Sequence, residues 1–296
     1  MEAIKFHKEP QLKNPSMVAA WPGMGGVAII AARYLRDMLG AEEFGEIEPY
    51  DFFDLNIVPI EDNIVKKPEF PESKFYYWKN SKGDDLIVFI SEAQPSMKSY
   101  SLANLVLDVA QKFGAKMACT FAAAPAHVYH AKKPRVLGVA TDPALTSELL
   151  RHGVTPMSSG SISGMNGLLL GVARERDMKG VCLLGEIPIY ITQMANPSSS
   201  KAVLNVLAEM LDIEIDMAGL DDWARKITKE IDENIDHLRH SDLEEAERLV
   251  YYFDRLKQQV GTEEVEAGEL GEFSTEELLE EVEKFLKSKR EKEGDN

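Results

Sequence analysis

Over the first two thirds of the chain, short apolar runs alternate with longer stretches in which apolar residues recur every three or four positions. Met17–Trp21, Phe75–Trp78, Leu86–Ile90, Met117–Phe121, Val136–Ala140 and Val181–Leu184 are apolar runs bounded by Gly, Pro, Asp or Lys, which predicts strands. Val27–Leu39, Tyr100–Phe113, Pro143–Leu150, Met165–Arg176 and Ser200–Leu211 carry the helical period. Strands apolar on both faces must be covered on both, so the predicted fold class is α/β, a three-layer α/β/α arrangement. Phe44–Phe53 and Phe75–Lys79 alternate more and hold more aromatic residues, marking a hairpin-like or edge portion of a mixed sheet.

After about Asp216 the strand signals stop. Trp223, Ile227, Ile231, Ile235 and Leu238, then Leu243, Ala246, Leu249, Phe253, Leu256 and Val260, recur at helical spacing and predict two helices in tandem. Ser241-x-x-Glu244 has the form of a capping box that starts the second. A Glu- and Gly-rich linker follows, and Leu278, Leu279, Val282, Phe285 and Leu286 form an apolar stripe on a last helix. The expected division is a core over 1–217, a helical hairpin over 218–260, and an acidic linker with a C-terminal amphipathic helix over 261–296. The last stripe needs a cover, either its own domain or a second subunit or client.

Charge narrows the partners. The net charge is −17, and from Ser241 onward there are 18 acidic against 8 basic side chains. Nucleic acid and anionic membrane are thus poor partners, since both select a basic face. Met1–Pro10 lacks the apolar core of a signal peptide and no apolar run reaches the length of a membrane span, so a cytoplasmic protein is expected. Cys119 and Cys182 lie inside apolar runs and read as buried structural thiols.

Two glycine clusters carry the candidate chemistry. Trp21-Pro22-Gly23-Met24-Gly25-Gly26 joins a strand to a helix, the geometry in which backbone N–H groups can converge on an anion. Gly23-x-Gly25-x-x-Ala28 fits only the loosest dinucleotide fingerprint, and a turn that packs helix on sheet is the plainer reading. The second cluster runs Gly160-Ser161-Ile162-Ser163-Gly164-Met165-Asn166-Gly167 and continues to Gly171; packing accounts for Gly167 and Gly171, while Gly160 and Gly164 suit a loop at a helix N-terminus. Glu92 and Glu186 each follow an apolar strand, placing them at the carboxyl edge of a parallel sheet where ligands collect. Gly23, Gly25, Gly26, Glu92, Gln94, Gly164, Asn166 and Glu186 therefore form the candidate crevice, able in principle to bind a nucleoside-like group or support acid/base chemistry. His127 and His130 read as surface loop histidines without a third ligand. With no phosphate loop, nucleophile elbow or metal set, no cofactor or metal is expected, and catalytic residues are not assignable.

Five segments, in order, resemble the proteasome assembly chaperone 2 family. They are Trp21-Pro22-Gly23-Met24-Gly25-Gly26-Val27, Ser91-Glu92-Ala93-Gln94, Gly160 to Leu169, Leu183-Leu184-Gly185-Glu186, and the run from Asn196-Pro197 to Asp216. The resemblance spans roughly Pro15 to Leu256. It implies a phosphorylase/hydrolase-like α/β/α fold with a helical C-terminal addition, and homo-oligomers, trimers in many bacterial members. It also implies a non-catalytic scaffold for a protein client, the alternative being a nucleotide- or nucleoside-binding enzyme that uses the crevice. Proteasome-binding relatives can end in a hydrophobic residue, a Tyr and one further residue, whereas this chain ends Glu293-Gly294-Asp295-Asn296, which argues against docking by the tail.

Overall fold

A computed structural model of the protein describes residues 3–55, 57–240 and 244–258. The strands are β1 (Ile4–Phe6), β2 (Ser16–Ala20), β3 (Glu42–Ile47), β4 (Ile60–Glu61), β5 (Ile64–Val65), β6 (Ser73–Trp78), β7 (Leu86–Ser91), β8 (Met117–Ala126), β9 (Val136–Ala140), β10 (Thr155–Pro156) and β11 (Lys179–Pro188). The helices are α1 (Val27–Leu39), α2 (Ser99–Lys112), α3 (Pro143–Arg151), α4 (Met165–Glu175), α5 (Pro197–Leu211), α6 (Ala218–Arg239) and α7 (Glu244–Gln258).

Nine strands form one mixed sheet in the order β1-β3-β6-β7-β2-β8-β11-β9-β10. Its centre, β7-β2-β8-β11, is wholly parallel, with antiparallel β6, β3 and β1 on one flank and antiparallel β9 on the other. The expected hairpin-like portion is this β3–β6 pair, shifted in register between Glu43 and Gly45. Pleating sends Val18, Ala20, Val88, Phe121, Leu183 and Ile187 to the face covered by α1 and α5. Met17, Ala19, Trp21, Ile87 and Phe89 go to the other face, under α2 and α4. The predicted three-layer α/β/α architecture is therefore present.

Local signals place the helices. Gly40 takes the left-handed conformation after α1 and its neighbour Ala41 N–H bonds Arg36 O, closing that helix. Asp142 and Asn196 cap α3 and α5, each followed by Pro at the first helical position. Helices α6 and α7 lie against each other and form a third apolar cluster with Tyr129, Ile189, Tyr190 and Ile191. The capping box at Ser241 and everything expected over 261–296 lie outside the described residues. Among the described residues no helix is long and apolar enough to cross a membrane.

The small residues of α4 divide sharply. A Cβ on Gly167 would stand 2.2 Å from the carbonyl oxygen of Ile162, because the preceding loop folds back over this helix face. Gly171, expected to serve packing, meets nothing within 4 Å and faces open space. Gly167→Ala should therefore lower the unfolding free energy by about 2 kcal/mol through forced displacement of backbone. Gly171→Ala should raise it by up to about 1 kcal/mol through helix propensity. Urea unfolding of the two variants checks both signs.

Candidate functional site

The parallel strands end on one edge, and the two glycine clusters meet there. Asn166, in the first turn of α4, accepts from Trp21 N–H at 3.1 Å and donates to Trp21 O at 3.2 Å. It thus pairs with the end of β2 as another strand would. Gln94, just past β7, donates to Pro22 O at 2.6 Å and accepts from Met165 N–H at 3.0 Å, while its side chain lies over Gly164. Gly25 and Gly26 both have left-handed backbone, with φ of 63° and 60°, which β-carbon-bearing residues rarely adopt. That conformation turns Gly25 N–H to Thr192 O at 2.6 Å and Gly25 O to Asn196 N–H at 2.7 Å, while Gly26 N–H bonds Gly23 O at 3.0 Å. Asn196, which caps α5, is thereby tied to the same turn.

Gly23, Gly25, Gly26, Gln94, Gly164 and Asn166 are therefore brought together, but their polar groups largely satisfy one another. The amides of Gly25 and Gly26 point to protein carbonyls rather than outward as a cradle for an anion. Trp21 is fully buried against Phe89, with ring centroids 5.0 Å apart, and its indole N–H has no acceptor among the described residues.

The two carboxylates are not brought together. Glu92 accepts from Glu72 N–H at 3.1 Å and lies 3.6 Å from Arg33 of α1. Glu186 is buried and accepts from Arg135 Nε at 3.0 Å and from its terminal nitrogen at 2.6 Å. Three strand spacings separate β7 from β11, about 14 Å at the usual interstrand distance. They also lie on opposite faces, since Glu186 shares the Leu184 side of β11 and Glu92 the side of α1. One carboxylate cannot relay a proton to the other across that span. Among the described residues no group of three or more His, Cys, Asp or Glu side chains could hold a metal ion. A groove of about 650 Å³ lined by Trp78, Lys82, Asp84, Asp212 and Glu214 opens at the opposite, amino edge of the central strands.

The structure corrects the reading of the histidines. His130 is buried rather than on the surface. Its backbone N–H donates to the Tyr190 hydroxyl at 2.9 Å, its Nδ1 lies 2.9 Å from the same oxygen, and its Nε2 lies 3.1 Å from Asp232 of α6. Tyr129 also donates to Asp232 at 2.9 Å, and His127 Nδ1 meets the Tyr252 hydroxyl of α7 at 2.9 Å. A neutral His130 with its proton on Nε2 satisfies all of these contacts. The network ties the segment after β8 to α6 and α7, and only the aromatic pattern His127-Val128-Tyr129-His130 hinted at it in sequence. Burial lowers the pKa of both His127 and His130, with Asp232 opposing the shift at His130. Both thiols are buried, as expected, and desolvation pushes each up to about 12.

The sequence pattern of the PAC2 family matches residues 17–235. PbaB of Pyrococcus furiosus, an archaeal proteasome activator, is 30% identical with a TM-score of 0.67, over 79% of this chain and 98% of that one. PbaA of the same organism, an archaeal homologue of proteasome-assembly chaperone, shares the fold at 21% identity and a TM-score of 0.61, over 86% of this chain and 99% of that one. The uncharacterised protein MJ1210 of Methanocaldococcus jannaschii is 27% identical over 215 residues, 72% of this chain and 80% of that protein.

Two outcomes are expected. Asn166→Ala strips both backbone groups of Trp21 of their partners and should cost about 2–3 kcal/mol, whereas Glu92→Gln at the exposed edge should stay within about 0.5 kcal/mol; denaturant unfolding separates them. The unfolded histidines take up protons near their ordinary value of 6.5, and the folded ones only at lower pH. Their contribution is thus complete above pH 6.5 and is lost as pH falls through the depressed folded values. The melting temperature should drop over that window, and His130→Gln should flatten the drop.

Proposed function

The chain belongs to the PAC2 family, and from that premise we propose that it is a non-catalytic, homo-oligomeric scaffold that binds other proteins in the cytoplasm, with the proteasome or its subunits as client. The observation that carries this reading is the internal closure of the carboxyl edge. The groups that a ligand would need there, the Gly25 and Gly26 amides and the side chains of Gln94, Asn166 and Glu186, are committed to the protein itself. Glu92 and Glu186 stand too far apart and on opposite faces for shared acid/base work. Helices α6 and α7 add an apolar cluster over the segments that follow β8 and β11. A nucleoside-binding enzyme on the same scaffold is the reading these contacts disfavour.

The likeness to PbaB, at 30% identity, supports the proteasome as the client class. The acidic surface, at a net −17, fits a protein partner better than a polyanion. Protein recovered by a gentle tag from its own cells should carry proteasome subunits in stoichiometric amount and hold no small molecule. Glu92→Gln should leave that recovery unchanged. A retained nucleotide without a protein partner would overturn the scaffold in favour of the enzyme.

A further inference from the structure

Every residue from 57 to 69 is exposed. Within that run β4 and β5 form a separate two-stranded hairpin whose turn, Asp62-Asn63, has φ of 51° and 62°. Ile60 pairs with Val65 across the ladder, and alternation puts Val58 on their side. The opposite side carries the Glu61–Lys66 ion pair at 2.7 Å. Ile57 and Ile64 share that charged side, while Val58, Ile60 and Val65 make the other side wholly apolar, and all of it faces solvent: Val58 is 47% exposed, Ile60 71% and Val65 64%. A lone hairpin of this length is marginal in water at best.

Its root, by contrast, is firmly held at the carboxyl edge of the sheet. Tyr50 stacks edge-on against Phe70 with centroids 5.0 Å apart, Asp51 pairs with Lys98 at 2.7 Å, and Phe52 O accepts from Ser96 and Met97 N–H. Next to that root Met97 is 43% exposed and Tyr100, at the start of α2, 54%, and Met24, in the glycine turn whose Pro22 O accepts from Gln94, is 43% exposed.

Resting on the homo-oligomer proposed above, we infer that the hairpin is an arm that seats its Val58–Ile60–Val65 side on Met24, Met97 and Tyr100 of a second copy of this chain. Both halves of the contact exist on each subunit, differ in shape, and are uncovered within it. Passed from each copy to the next, the contact is heterologous and closes into a ring when the rotation allows, a trimer being the smallest; exchanged between two copies, it closes a two-fold dimer. The three aliphatic residues on that side expose on the order of 300 Å², within the range of the largest apolar patch of a monomer. Arm and seat together bring the share of each subunit to roughly 600 Å², the lower end of one side of a standard-size interface. A second copy also suits the chemistry better than a client does. Permanent interfaces are the more hydrophobic class, and copies at −17 each must associate through apolar rather than charged surface.

The test combines mass and cross-linking. Light scattering should give a multimer for the native chain and the monomer mass for Ile60→Asp/Val65→Asp, with the far-UV circular dichroism of the variant unchanged and a cooperative thermal transition retained. Ile60→Cys mixed with Met97→Cys should yield a disulfide-linked dimer on non-reducing gels, against the silent background of the buried Cys119 and Cys182. A double Asp variant that keeps the native multimer mass, or mixed cysteine variants that do not cross-link, would overturn the arm while leaving the oligomer standing. A native chain that is monomeric at every concentration would remove both.

Discussion

Where parallel strands end together, their last backbone groups lose the ladder and must find partners, and this protein supplies them from its own side chains. Asn166 serves the end of β2 as a substitute strand, with both bonds to Trp21 made inside the core. Gln94 couples Pro22 to the start of α4, and the left-handed Gly25 delivers its amide to Thr192 and its carbonyl to Asn196. Through these contacts the entry of α1, the first turn of α4 and the cap of α5 are set against one another. The same edge that holds ligands in many open α/β sheets is here a structural joint.

A closed joint moves the working surface outward. With the crevice groups bonded to one another, what the carboxyl edge offers is shape and apolar area: the projecting β4–β5 hairpin, the exposed Met24 and Met97, and the α6–α7 pair beyond them. The α6–α7 pair is held by a cluster of Tyr129, Tyr190, Tyr252 and Phe253 with His130 bonded at its centre, so docking of these helices is coupled to a buried imidazole that must stay neutral.

Periodicity made most of this fold legible. The pattern over Val27–Leu39 predicted α1 to the residue, and continuous apolar runs marked the four central strands because both of their faces are buried. Strands β8 and β11 run on to Ala126 and Pro188, well past Phe121 and Leu184, since apart from Ile187 their second halves are built of Ala, Gly, Glu and Pro. β4 and β5 escaped notice because two-residue strands leave no period to count. At the site, spacing grouped Gln94, Gly164, Asn166 and the glycine turn with Glu92 and Glu186; the structure brings the former together on one edge and keeps the two carboxylates apart. Spacing could not show that the gathered groups bond each other, nor that Arg135, 51 positions away, lies against Glu186, because such pairings belong to topology rather than to local pattern. His130 failed as a surface residue for the same reason: the helices that bury it lie about 100 residues further along the chain.

The central claim is that the carboxyl edge is complete without a ligand, and hydrogen exchange at single-residue resolution tests it most directly. In the protein alone, the amides of Trp21 and Gly25 should be protected to the level of the β2 strand itself, since each donates to a fixed acceptor in the core. Exchange of these two amides at the rate of an open loop, slowing only when a nucleotide or nucleoside is added, would contradict the account and return the crevice to a binding site.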